Sequence, residues 1–238
     1  MRASTLSDLT TISTLAGLVH SRSVPVQSSQ IQYCGGADEP TIATSGDPVE
    51  GPGIWVTNND NDPNVKYFVY ETSRDEHPWK YLDIPQGSRA FIQVCPTFQG
   101  RVMRGTAPAN LDGAVHSLGT WIEFALGGGT AWGDISFLEG CDGGASIAAT
   151  DGSGASRACA PPGGLLVGAP AGALVGGGEG NLVLGAVVEK AGAPANRAAF
   201  AWLSARCDAS QVYIQEQTEA VISSADGRFD VVFVDGVA

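Results

Sequence analysis

The stretch GTWIEFALGGGTAWGDISFLEGCDGG, residues 119–144, decides the fold of this chain. Two runs of alternating apolar residues flank a glycine-rich hinge, and this pattern predicts a β-hairpin in which each strand buries one face. Successive side chains of a strand point to opposite sides, so one parity of the hairpin faces the core and the other faces outward. The apolar residues on the inward parity are Ile122, Phe124, Leu126, Ile135 and Phe137.

Two acids, Glu123 and Asp134, share the outward face of this hairpin. With a loop of residues 127–130, Leu126 pairs with Ala131 and Glu123 lies directly opposite Asp134. Side chains opposite one another on neighbouring strands have Cβ atoms about 5 Å apart, and like charges there are destabilising. A fold has no structural reason to prefer this pairing, so it indicates a function. A solvated polar face is the alternative interpretation that the pattern alone leaves open.

The charge of the chain limits its partners. The 238 residues carry a formal net charge of −12 with only 13 basic side chains, which argues against a nucleic acid or an anionic membrane, because both require a cationic face. Glu139 and Asp142, directly after the hairpin, extend it into an acidic cluster. Only 16% of the residues are charged and 32 are glycine, which is typical of a folded, β-rich protein with many tight turns. No window approaches the roughly 20 apolar residues of a membrane span.

Five cysteines lie far apart in the sequence, with no CxxC pair, and the three histidines are isolated. This disfavours a zinc site, and we expect neither a metal nor a cofactor. Long-range disulfides and buried free thiols are the two alternatives, and the odd number leaves at least one thiol over unless it pairs with another chain. The cysteines are Cys34, Cys95, Cys141, Cys159 and Cys207.

The N-terminal segment has two interpretations. Within residues 1–30, Arg2 precedes a short apolar run at 9–19 that resembles a signal peptide with a poor apolar core, although Asp8 counts against it. A disordered tail is the alternative. Residues 31–53 are rich in Gly, Pro and acids, which predicts a loose lead-in to the folded domain.

Short strands separated by turns make up most of the remaining chain, which predicts an all-β sandwich. Residues 160–206, rich in Gly and Ala, indicate a small appended lobe. It ends in a helix predicted at 196–206, where apolar residues recur at helical spacing after Pro194. Polar turns are predicted between 146 and 157. The predicted strands outside the hairpin are 53–58, 65–71, 88–95, 101–106, 210–216 and 228–234.

A series of motifs runs through residues 54–234 in this order: IWVTNN, YETS, PQGS, FIQV, GRVMRGT, TWIEFAL, GDISFLEG, an RxCA segment, a helix ending in Cys207 and a final FDVVFV strand. Their order and spacing resemble the thaumatin-like (pathogenesis-related group 5) proteins. The resemblance implies a thaumatin-like β-sandwich over residues 54–238 and a secreted protein. The few cysteines and lysines and the abundant Gly and Ala look more like a microbial or fungal member than a plant one.

The resemblance also implies an acidic cleft. In that family the cleft is built from an arginine, a glutamate and three aspartates, and it is associated with binding of β-1,3-glucans and, in some members, with weak glucan hydrolysis. The last two acids are glutamates here, which bears on catalysis more than on binding. The matching residues of this chain are Arg101, Glu123, Asp134, Glu139 and Glu216.

The cysteines of the family suggest one pairing. Cys159 and Cys207 match two family cysteines that pair, so the resemblance implies a disulfide that closes a loop around the Gly-rich lobe. The other three cysteines have no clear counterpart in the family. A bridge between Cys34 and Cys95 is a further hypothesis.

The implied cleft has the residue types for glycoside hydrolysis, which commonly uses one protonated and one ionised carboxyl group. Repulsion between Glu123 and Asp134 is expected to raise one pKa, and Arg101 to hold the other down. We assign Glu123 as the acid and Asp134 as the base or nucleophile. Trp121, on the parity of Glu123, and Trp132, on that of Asp134, are candidate platforms for stacking against sugars.

These inferences lead to three candidate functions. We expect a secreted monomer that binds β-1,3-glucan or a related cell-wall polysaccharide, with weak endo-β-1,3-glucanase activity. The alternative from a different class is a non-enzymatic secreted effector or inhibitor that acts on a host protein through the lobe. A structural component of the cell wall is a third interpretation.

Overall fold

Strands dominate the part of the chain that the structure, a computed structural model, describes. The described residues are 34–35, 39–72, 74–115, 118–178, 180–189, 194–216 and 219–234, and all of them lie in one compact unit, Gln32–Ala238. The predictions for residues 1–30 lie outside these ranges. No helix within the ranges is long and apolar enough to cross a membrane.

The described ranges contain fourteen strands, two α-helices and one 3₁₀ helix, Ala171–Ala173. The strands are β1 (Ile42–Thr44), β2 (Gly53–Asn59), β3 (Lys66–Glu71), β4 (Lys80–Leu82), β5 (Arg89–Gln93), β6 (Gln99–Gly105), β7 (Trp121–Gly127), β8 (Thr130–Ser136), β9 (Ala145–Ala149), β10 (Ser156–Cys159), β11 (Leu174–Gly178), β12 (Asn181–Leu184), β13 (Ile222–Ser224) and β14 (Arg228–Val234). The α-helices are α1 (Ala107–Asn110) and α2 (Arg197–Ser204).

Two large sheets carry the fold. One has seven strands in the order β1-β4-β3-β6-β7-β8-β13, and the other has five in the order β10-β9-β14-β2-β5. Buried residues of both sheets belong to one hydrophobic core, among them Val102 and Ile122 of the first sheet and Val56 and Val231 of the second. The predicted all-β class with a late helix is therefore confirmed.

The central hairpin forms in the predicted register. Leu126 pairs with Ala131 and Glu123 with Asp134, as the alternation of the sequence requires. The turn itself is only Gly128–Gly129, because the flanking residues of the predicted loop already pair with each other. Both glycines have positive φ, 60° and 85°, which residues with a Cβ rarely adopt and which a tight two-residue hairpin turn requires.

Other predicted elements divide into confirmed and corrected ones. The strands predicted at 53–58, 65–71 and 228–234 form within a residue or so of their expected ends. The late helix also forms, and its N-cap Asn196 accepts a hydrogen bond from the Ala199 N–H at 3.0 Å.

Three segments differ in secondary structure from the prediction: one lacks a predicted strand, and two contain strands that were not predicted. The strand predicted at 210–216 is wrong, since Tyr213 makes only an isolated bridge to Ser136. The polar turns predicted between 146 and 157 are wrong in part, because β9 and β10 pair there and β9 also pairs with β14. Small residues in β9 give no strand signal of their own, and pairing with β14 determines their conformation. The lead-in at 31–53 contains β1, which pairs in parallel with β4.

The Gly-rich lobe is fixed to the sandwich. A disulfide joins Cys159 to Cys207, as expected, and a second joins Cys34 to Cys95; Cys141 is a buried free thiol. Within the lobe β11 and β12 form a hairpin. Four buried leucines of the lobe belong to the same core as the sheets: Leu165, Leu166, Leu184 and Leu203.

An arginine on the inner face of β6 ties the two sheets together. Arg104 donates from Nη1 to Asp60 Oδ2 at 2.9 Å and to the Val234 carbonyl oxygen at 2.6 Å, and from Nη2 to Asp142 Oδ1 at 2.8 Å. Asp60 directly follows β2 and Val234 ends β14, so one side chain of the first sheet holds two strands of the second. A Cβ at Gly143 would overlap the guanidinium, so only glycine fits there.

We expect Arg104→Met to lower the free energy of unfolding by about 3–5 kcal/mol, because it leaves the carboxylates of Asp60 and Asp142 without their cation. Urea denaturation measures the change. The matched control is Arg89→Met, which removes the half-exposed ion pair with Asp230 and should cost less than about 1 kcal/mol. Equal losses in the two variants would contradict the structural role of Arg104.

Candidate functional site

Three charged side chains form a row across the outer face of the seven-stranded sheet. Arg101 of β6 is directly opposite Glu123 of β7, and Glu123 is directly opposite Asp134 of β8. We call Arg101, Glu123 and Asp134 the charged row. Tyr70 of β3 lies opposite Arg101 and ends the row on that side.

Arg101 is held from three sides. Its Nη1 donates to Asp75 Oδ1 at 2.6 Å, and its guanidinium lies 4.0 Å from the ring centre of Trp121 and 4.6 Å from that of Tyr70. The residue is only 4% exposed. Arg101 is therefore a fixed positive charge beside Glu123 rather than a side chain open to solvent.

Glu123 has opposing influences on its pKa. Burial raises the pKa, the Ser136 hydroxyl and the Arg101 guanidinium lower it, and the charge of Glu139 raises it, with a net shift above the usual range. Ser136 is almost fully buried two residues beyond Asp134 on the same strand. These neighbours stabilise the ionised form of Glu123.

Asp134 has no such support. Burial, followed by the charge of Glu123, raises the pKa of Asp134 to about 8. Its Oδ1 is buried and has no hydrogen-bond partner among the residues that the structure describes. At neutral pH the pair therefore consists of a protonated Asp134 and a Glu123 that is better able to carry charge.

Tyr213 joins the site without having been predicted. Tyr213 bridges to Ser136, and its pKa is raised by burial and then by the charges of Asp134, Glu123 and Glu219. The sequence analysis predicted a strand at 210–216, but it gave no reason to expect Tyr213 beside β8. Glu219 is exposed, and its charge acts on Tyr213.

The other predicted site residues differ from one another in how they are placed relative to the charged row. Glu139 acts on Glu123 electrostatically, so it belongs with the charged row. Glu216 is exposed, and among the described residues it makes no hydrogen bond or ion pair with the row. Asp142 of the predicted acidic cluster is paired with Arg104. Trp121 lies under Arg101, whereas Trp132 is 45% exposed.

A cavity of about 260 Å³ lies away from the charged row, between β6, α1 and the β11–β12 hairpin. The ion pairs of Arg104 with Asp60 and Asp142 form part of its wall, together with apolar side chains such as Leu182. None of the three residues of the charged row lines this cavity. Across the described ranges, no three His, Cys, Asp or Glu side chains are grouped so that they could hold a metal ion.

Comparisons with known proteins leave the geometry as the main guide to function. No protein-family model matches the chain, and no curated protein matches it. The arrangement of carboxyl groups on the outer face can offer a proton and a negative charge side by side. That combination suits the recognition of hydroxyl groups and acid–base chemistry.

We expect Asp134→Asn to change how stability depends on pH. The folded-state pKa of Asp134 is raised, so the folded protein keeps a proton that the unfolded chain releases, and this stabilisation is lost as the pH rises towards 8. The variant should therefore gain stability relative to the wild type between pH 5 and 8, by up to about 1 kcal/mol per pH unit. Urea denaturation at several pH values measures the difference.

The control for this comparison is Glu216→Gln, which removes an exposed carboxylate of equal charge. Its stability difference from the wild type should stay nearly constant over the same pH range. Parallel pH profiles for Asp134→Asn and the wild type would show that Asp134 titrates normally.

Proposed function

We propose that the outer face of the seven-stranded sheet binds a polysaccharide at the Glu123–Asp134 pair. The observation that supports this is the direct pairing of the two acids, in which burial and the charge of Glu123 raise the pKa of Asp134 to about 8. A protonated carboxyl group donates a hydrogen bond and an ionised one accepts, so the pair can satisfy both the oxygen and the proton of sugar hydroxyls.

The substrate class we propose is β-1,3-glucan or a related cell-wall polysaccharide. It is supported by the resemblance to thaumatin-like proteins, whose cleft arginine, glutamate and first aspartate correspond to the charged row. We propose that the chain is a divergent thaumatin-like protein that acts outside the cell. The two disulfides support that location, because such bonds persist in oxidising compartments.

Weak hydrolysis of the bound glucan is part of the proposal, with roles opposite to those assigned from the sequence. Asp134, whose pKa of about 8 keeps it protonated, would donate a proton to the leaving oxygen. Glu123, stabilised as an anion by Ser136 and Arg101, would act as the base or nucleophile. The raised pKa of Asp134 supports this assignment, since the general acid must hold its proton at the working pH.

The binding proposal is tested by retention on insoluble β-1,3-glucan. Wild-type protein should be retained, and the double variant Glu123→Gln/Asp134→Asn should bind at least tenfold more weakly, because it removes the anion and the proton that face the hydroxyl groups. The control is Glu216→Gln, which changes an exposed acid outside the row and should bind like the wild type. Equal retention of all three proteins would rule out the pair as the binding site.

Release of reducing sugar from laminarin separates hydrolysis from binding. Turnover should decline above about pH 8 as Asp134 loses its proton, and Asp134→Asn should abolish it while glucan is still retained. Retention without any sugar release would remove the enzymatic part of the proposal and leave binding. Saturable binding to a host protein without glucan retention would instead favour an effector or inhibitor.

A further inference from the structure

The two tryptophans on the outer face of the hairpin are in different environments. Trp121 has the Arg101 guanidinium 4.0 Å from its ring centre and packs against a small hydrophobic cluster on the same face. That cluster consists of Phe68, Tyr70 and Met103, with Tyr81 packed against it. One face of the Trp121 ring is therefore occupied, and the ring serves to hold Arg101.

Trp132 lies near Asp134, at the opposite end of the charged row from Arg101, and is much more open to solvent. It is 45% exposed, and its neighbours across the strands are Ala125 on β7 and Ser223 on β13, both small. Its six-membered ring lies against Gly127, where an added Cβ would be 3.4 Å from Cζ3. Small neighbours on both strands leave much of the indole open to solvent.

The position of Trp132 is set by the register of β8. It lies two residues before Asp134 on the same face, which corresponds to about 6.8 Å along a strand. This distance is comparable with the length of one pyranose ring. The exposed Ser223 lies directly opposite Trp132 and supplies a hydroxyl group beside the indole.

We propose that Trp132 is the sugar-stacking residue of a second subsite, next to the Glu123–Asp134 pair, and that the bound glucan runs along β8 from Asp134 towards the Gly128–Gly129 turn. This inference rests on the proposed function, and it adds to that function the path that the glucan follows on the sheet. The indole offers the apolar face of a pyranose a flat apolar surface, and Ser223 offers its rim a hydrogen bond. Arg101 lies over one face of the Trp121 ring, so Trp132 is the more exposed of the two indoles on this face.

Affinity for laminarihexaose, measured by calorimetry, tests the subsite. Trp132→Ala should weaken binding at least tenfold, and Trp132→Phe should restore most of the loss because it keeps a flat ring. The matched control is Phe200→Ala, which removes an aromatic ring of similar exposure on α2 and should bind like the wild type. Circular dichroism and thermal unfolding check that each variant is folded.

A second readout reports on the indole itself. Laminarihexaose should change the tryptophan emission of the wild type, and Trp132→Phe should abolish that change although four other tryptophans remain. Wild-type affinity in Trp132→Ala, together with loss of binding in Glu123→Gln/Asp134→Asn, would overturn the subsite and leave the proposed function. Absence of any glucan binding by the wild type would overturn both.

Discussion

The contacts of Arg104 are the interaction on which the arrangement of the two sheets depends. Its guanidinium reaches Asp60 and the Val234 carbonyl, which belong to the ends of two strands of the five-stranded sheet, from the middle of the seven-stranded one. A buried ion pair is costly to assemble, and it stabilises a fold only when its geometry satisfies the charges on both sides. Here two carboxylates and one carbonyl oxygen accept hydrogen bonds from both Nη atoms of a single arginine, so the relative position of the sheets is closely defined.

The same strand carries the arginine of the outer face. Arg101 and Arg104 are three residues apart, so they point to opposite sides of β6. Fixing β6 from within through Arg104 therefore also fixes where Arg101 meets Glu123 outside. The positive charge that distinguishes Glu123 from Asp134 is thus positioned by the interior of the protein, and the difference between the two carboxyl groups follows from how the sheets are joined.

The hairpin and its acid pair could be predicted from the sequence because inward apolar residues alternate regularly with outward residues along both strands. The register of β7 and β8 follows from which residues must be buried, and a slip of one position would expose all of them. The late helix was predicted from apolar residues at helical spacing. The Cys159–Cys207 disulfide was implied by the family resemblance, and the Cys34–Cys95 disulfide was a hypothesis. In contrast, β9 has small residues with little preference for a strand, and its pairing with β10 and β14 makes it one.

The chemistry of the site was harder to anticipate than its location. The sequence shows that Glu123 and Asp134 are neighbours, but not that Ser136 donates to one of them and leaves Oδ1 of the other unpaired among the described residues. Which carboxyl group keeps its proton depends on such contacts, and they are the basis on which we propose roles opposite to those assigned from the sequence. Tyr213 reaches the site through an isolated bridge to Ser136 rather than a regular strand, so no periodic signal could place it there.

The bridge between Cys159 and Cys207 has a consequence for the covalent integrity of the molecule. All of the Gly-rich lobe lies between these two cysteines, including the exposed stretch around Val167. A protease that cut the backbone there would produce two polypeptides still joined through sulfur, with the lobe leucines still seated among the strands. Such a nicked protein would migrate as one species on a gel until a reductant separated the fragments.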